Sequence, residues 1–219
     1  MSTPRAALSE AEVGDWADEL EGQRIETILE RAWLRFGERL VMTSNFGAEG
    51  VVVLDHLRRI APGTPIIYLD TGFQFSETDR VKEEIRTRFG LNIVEYRSEL
   101  SVVEQGVAYG ERLYDRDPGL CCQMRKVDPL ARALAGYDAW IAALRRDQSP
   151  TRALIRVVEW NATHGMVKIN PLATWTRKEV WEYIVRYGLP YNRLYDDGYT
   201  SIGCQPCTRR VGAGDHERS

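Results

Sequence analysis

The stretch Arg39-Leu40-Val41-Met42-Thr43-Ser44-Asn45-Phe46-Gly47-Ala48-Glu49-Gly50 decides the fold. Arg39 to Ser44 reads as a short apolar strand, and Ser44 to Gly50 as a glycine-containing turn. Val51, Val52, Leu54, Leu57 and Ile60 then recur at helical spacing. The same unit follows again. Pro65 to Asp70 is a second strand and Asp70-Thr71-Gly72 its turn; Ser76-Glu77-Thr78-Asp79 caps a helix that carries Val81, Ile85 and Phe89 and closes at Gly90. Asn92 to Tyr96 and Asp138 to Leu144 supply further strands, the latter after a helix through Leu130 and Leu134. Short apolar strands alternating with helices predict an α/β fold, a parallel sheet flanked by helices on both faces. Ligands of such sheets bind at the carboxyl ends of the strands, where both turns fall. Their glycines let the backbone come close to a bound group.

Outside this unit, Ser9-Glu10-Ala11-Glu12 is a capping box that opens a first helix. Ile25, Ile28, Leu29, Ala32, Trp33 and Phe36 continue with helical periodicity up to Gly37. Thr176-Arg177-Lys178-Glu179 is a second box, before Val180, Trp181, Ile184 and Val185, with Gly188 and Pro190 as stops. No repeat or low-complexity tract interrupts the 219 residues, so the expectation is one continuous domain.

The net charge is 29 − 32 = −3, which does not call for a polyanion partner, and nucleic acid is not expected as a target. No apolar run approaches the ~18–20 residues that span a bilayer. The acidic amino-terminal stretch has no hydrophobic signal region, so a cytoplasmic protein away from membranes is expected. Of the 29 basic residues, 25 are arginine. Arginine suits bidentate recognition of carboxylate, sulfate and phosphate, although a GC-rich genome would raise its count as well. The turn at Ser44 to Gly50 could take a phosphate or sulfate on its amides and the following helix terminus. It is no P-loop, because no Gly-Lys-Ser/Thr follows its glycines.

The four cysteines form two tight pairs, Cys121-Cys122 and Cys204-Gln205-Pro206-Cys207. A cytosolic chain that places all its cysteines so is more suited to a metal than to disulfides. Cys204-x-x-Cys207 alone is compatible with zinc, a redox disulfide or an iron–sulfur cluster. Adjacent cysteines are uncommon in zinc sites, and a buried structural pair is the alternative reading of Cys121-Cys122. Arg125 and Lys126 follow the first pair, Arg209 and Arg210 the second. Such cations would offset the charge of a four-thiolate centre and attract an anionic substrate.

Together these residues resemble the phosphoadenylyl/adenylyl-sulfate reductase family of assimilatory sulfate reduction, in particular its iron–sulfur adenylyl-sulfate (APS) reductases. The resemblance runs from about Arg39 to Arg218. It rests on Ser44…Gly47-Ala48-Glu49, Leu69-Asp70-Thr71-Gly72 and Cys121-Cys122-x-x-Arg125-Lys126-x-x-Pro129-Leu130. Arg145-Arg146-Asp147-Gln148-Ser149…Arg152, Lys168-Ile169-Asn170-Pro171-Leu172 and Ser201-Ile202-Gly203-Cys204-x-Pro206-Cys207-Thr208-Arg209 complete it. It implies an adenine-nucleotide α-hydrolase-like (PP-loop) fold and a [4Fe–4S] cluster on Cys121, Cys122, Cys204 and Cys207. It implies reduction of APS to sulfite and AMP, toward cysteine biosynthesis, with thioredoxin or a glutaredoxin-like dithiol as donor. Ser44 and Gly47 would touch sugar and phosphate, with Asp70, Thr71 and Gly72 beside them. Lys126 is similar to the lysine between cluster and substrate, Arg152 and Arg218 to phosphosulfate-binding arginines; Arg125, Arg145 and Arg209 join the substrate set. The paired cysteines favour APS over its 3′-phosphorylated form, PAPS.

Two departures from the family pattern stand out. Ala143 occupies a position where the family carries glycine. The family's attacking cysteine lies in a Glu-Cys-Gly-x-His tail, whereas His216-Glu217-Arg218-Ser219 carries none. The expectation is therefore a chain short of its catalytic tail, with no catalytic nucleophile of its own. The alternatives are an iron–sulfur PAPS reductase and a non-catalytic nucleotide-binding homologue with a structural metal.

Overall fold

The computed structural model describes residues 8–210. Strands β1 (Leu40–Thr43), β2 (Ile66–Asp70), β3 (Ile93–Arg97), β4 (Ala139–Ile141), β5 (Val158–Asn161) and β6 (Met166–Ile169) form one sheet in the order β3-β2-β1-β4-β6-β5. All neighbours are parallel except β5, which pairs antiparallel to β6 through Val158 opposite Ile169. The expected parallel α/β sheet is thus present, with an antiparallel edge.

Strand period sorts the core into two layers. Leu40, Met42, Ile66, Tyr68, Ala139 and Ile141 face one way. There they meet α1 (Glu10–Leu20), α2 (Ile25–Phe36), α3 (Ala48–Ile60) and α9 (Arg177–Tyr187). Val41, Ile67 and Met166 face the other way, onto Ala133 and Leu134 of α8 (Asp128–Leu134). Helix α4 (Ser76–Phe89) links β2 to β3, and α1 covers the outer strand β5. No helix among the described residues is long and apolar enough to cross a membrane.

The capping boxes at Ser9 and Thr176 form as read, and Gly90 and Gly188 close their helices in the left-handed conformation. Ser76 does not cap α4. Phe75 holds the cap position without a side-chain bond, and Ser76 is the first helical residue. The strand read over Asp138 to Leu144 ends at Ile141, because the Leu144 amide bonds the Ala142 carbonyl and turns the chain. The β5–β6 hairpin, whose mixed polar and apolar residues hide the alternation, has no counterpart in the sequence reading. The same is true of α5 (Val102–Tyr109), α6 (Leu113–Arg116) and α7 (Pro118–Cys122).

Candidate active site

The carboxyl ends of β1, β2 and β4 open into a cleft of about 420 Å³. Its polar wall begins at the turn after β1. Ser44 Oγ accepts the Phe46 N–H (3.0 Å), Asn45 Oδ1 the Gly47 N–H (3.3 Å) and Tyr195 Oη the Ala48 N–H (3.3 Å). Phe46 adopts φ +56°, a left-handed conformation that costs a non-glycine residue energy. Burial and a ring contact of 5.4 Å with Tyr68 hold it there. A Cβ on Gly50 would stand 2.7 Å from Ser44 Oγ, so only glycine fits this first turn of α3 unchanged. Trp140, Leu69, Ile67 and Leu144 form the apolar side. Trp140 is fixed by its Nε1–H donating to Thr43 Oγ1 at 2.8 Å.

Beside the cleft, Asp117 caps α7 through the Leu120 N–H, and α7 ends in Cys121 and Cys122. The chain continues into a π-helical turn, Gln123–Val127, and then α8. Such turns are frequent at functional sites. Cys204 directly precedes a 3₁₀ turn, Gln205–Cys207, which the Gln205 N–H fastens to the Phe73 carbonyl at 2.7 Å. All four cysteines are free thiols, and with Arg125 and Lys126 they line one small void. Among the described residues, no three His, Cys, Asp or Glu side chains close on a point tightly enough for a single metal ion. Burial pushes the Cys121 and Cys207 thiols up, and nearby cysteines act in the same direction. Thr71 Oγ1 lies 3.2 Å from Cys204 Sγ.

The expected substrate residues divide by position. Ser44, Gly47, Thr71, Lys126 and Arg152 line the cleft. Lys126 also borders the cysteine void, and among the described residues its ammonium has no hydrogen-bond or ion-pair partner. Asp70 lies off the cleft wall. It accepts the Gly72 N–H (2.9 Å) and pairs with Arg97 (2.7 Å). Gly72, at φ +73°, gives way to Val102, whose Cγ2 a Cβ would meet at 2.8 Å. Arg125 is buried and committed to the protein: it donates to Gln105 Oε1 (2.6 Å) and the Thr71 carbonyl (2.9 Å). Arg145 is fully buried, paired with Glu49 at 2.9 Å and with Asp147, and stands behind the wall. Arg209 is exposed away from the cleft, and Arg218 lies outside the described residues. Ala143 is on the cleft wall. Sequence reasoning did not single out Asn45, Trp140 and Tyr195 as site residues. Asn45 Nδ2 bonds the Ile202 carbonyl at 3.0 Å and ties the two halves of the site.

The sheet thus carries a cleft at its strand ends, bordered by two pairs of cysteines. The phosphoadenosine phosphosulfate reductase domain matches residues 39–210, and the chain belongs to that family. A phosphoadenosine 5'-phosphosulfate reductase of Gloeobacter violaceus is 48% identical over 99% of this chain and 91% of its own. An adenosine 5'-phosphosulfate reductase of Halalkalibacterium halodurans is 45% identical over 88% of this chain and 84% of its own. The crystal structure of phosphoadenylyl-sulfate reductase from Candida auris, a phosphate complex, superposes with a TM-score of 0.84. It is 28% identical and covers 94% of this chain and 100% of that one.

Proposed function

We propose that the chain reduces APS to sulfite and AMP in assimilatory sulfate reduction, in the cytoplasm, with a thioredoxin-type dithiol as donor. The observation that carries this is Lys126, a cation that lines both the cleft and the cysteine void and has no ion-pair partner among the described residues. The adenosine lies against the apolar wall of Trp140 and Leu69. The phosphate meets the amino-terminal end of α3, where the helix dipole favours an anion, and Lys126 and Arg152 face the sulfate.

In the chemistry proposed, a thiolate attacks the sulfate sulfur and the bond from that sulfur to the bridging oxygen breaks. AMP leaves with the electron pair. The donor dithiol then attacks the resulting S-sulfocysteine and is oxidised to a disulfide, expelling sulfite. Cys121, Cys122, Cys204 and Cys207 would hold a [4Fe–4S] cluster: four free thiols around one void match that donor set. Such a cluster would supply an anionic group that orients Lys126 and tunes the field at the sulfate. These four are all the cysteines of the given sequence, so on this reading none of them is the attacking thiol.

Titration with APS tests the reading directly, and absence of APS and AMP binding sinks it. The relative from Gloeobacter violaceus favours PAPS as a second reading; tighter binding of PAPS than of APS would decide for it.

A further inference from the structure

The cleft wall carries a second lysine, Lys168. Lys126 stands by β2, since its neighbour Arg125 bonds the Thr71 carbonyl just beyond that strand at 2.9 Å. Lys168 lies on β6, which the order β3-β2-β1-β4-β6-β5 sets three strand spacings from β2, about 14 Å. The two lysines therefore flank the opening, with the turn after β1 and the start of α3 between them. Lys168 is paired. The register sets Glu159 of β5 opposite it, and its ammonium meets Glu159 Oε1 at 2.8 Å. Asn170, fully buried, donates to the same oxygen at 3.2 Å and to the Arg156 carbonyl at 2.9 Å, which holds the carboxylate in place. On its other side Lys168 is in register with Trp140, and its ammonium stands 5.6 Å from the centre of that ring. Glu159 lies outside the cleft wall, so the cleft meets a lysine whose charge is offset from behind.

We propose that the Lys168–Glu159 pair is a charge filter at the sugar end of the nucleotide, and that Glu159 sets a preference for one phosphate over two. A nucleotide with its base against Trp140 and its 5′-phosphate at α3 places its sugar beside Lys168. A further phosphate on that sugar adds a charge of about −1.5 to −2 at neutral pH. Met by a lysine with a carboxylate directly behind it, such a group gives up hydration without gaining a net cation. A hydroxyl in the same place carries no charge to compensate. Specificity of this kind lies in what the site withholds from the wrong ligand. The inference deepens the APS reading above and rests on it.

Calorimetric titration of the wild-type, Glu159→Gln and Lys168→Met chains with AMP and with adenosine 3′,5′-bisphosphate tests it, with thermal melting as a check on folding. Glu159→Gln keeps an oxygen for Lys168 and Asn170 and removes only the charge. It should raise bisphosphate affinity about tenfold relative to AMP, as for a gained bond between charged groups. Lys168→Met leaves the carboxylate alone and should shift the same ratio the other way. Either variant suffices if the other fails to fold. A ratio that stays fixed in the folded variants, or moves the same way in both, overturns the inference, while AMP binding by the wild-type chain keeps the nucleotide reading. A wild-type chain that binds the bisphosphate more tightly than AMP also overturns the inference. A wild-type chain that binds neither ligand overturns the nucleotide reading, and this inference with it.

Discussion

At the scale of single residues, the site turns on what a side chain lacks. Lys126 has no partner among the described residues and so little to lose in stability. Lys126→Met is expected to leave the melting temperature within a degree or two, since surface-type changes cost little. APS affinity should fall by about tenfold while AMP affinity holds, a split of about 1.4 kcal/mol readable by titration. Equal losses for the two ligands would place the lysine on the AMP moiety instead. Gly50 shows the opposite logic. Glycine to alanine inside a helix ordinarily stabilises by about 1 kcal/mol. Here the new methyl would stand 2.7 Å from Ser44 Oγ and displace the acceptor of the Phe46 amide. Gly50→Ala should therefore lower the melting temperature and weaken AMP binding; a raised melting temperature would show that the turn yields freely.

Between elements, the junction of α2, α3 and α9 holds a buried histidine. His56 lies against Glu26 (3.4 Å) and Arg59 (3.3 Å), and its Nε2 has no hydrogen-bond partner among the described residues. Burial lowers its pKa from 6.5 to about 4, with Glu26 and Asp55 opposing and Arg59 and Arg24 reinforcing. The unfolded chain takes up the proton near 6.5 and the folded chain only near 4, so stability falls as the pH drops through that window. The loss approaches about 3 kcal/mol at its lower end, at ~1.36 kcal/mol per unit. Denaturant melts from pH 7 to pH 4 should show that slope, and His56→Gln should flatten it. A slope unchanged in the variant would assign the acid sensitivity to other groups.

Across the whole molecule, the two cysteine pairs meet only because the sheet brings α7 and the 3₁₀ turn after Cys204 to one side of β2. A metal centre there would add its binding energy to folding. Protein prepared anaerobically should contain iron and acid-labile sulfide; Cys121→Ser or Cys207→Ser should remove both and lower the melting temperature. Iron content unchanged in either variant would place the centre on other ligands, and zinc in its place would favour a structural metal.

The alternation of β1 to β4 with α3, α4 and α8, the capping boxes at Ser9 and Thr176, the turns after β1 and β2 and the two cysteine pairs with Lys126 beside one of them were legible in the chain, because each depends on neighbours a few residues apart. The π-helical turn that faces Arg125 inward and Lys126 toward both cavities was not, since periodicity treats the two as equal surface cations. Nor was the commitment of Asp70 and Arg145 to internal pairs, or the arrival of Tyr195 at Ala48 across 147 residues. Local physics, hydrophobic period and turn chemistry, set the strand–helix units from β1 to α4 and the turns at their strand ends. Which cation stays free for a ligand and which is neutralised by the protein depends on distant partners, and only the tertiary structure brings those together.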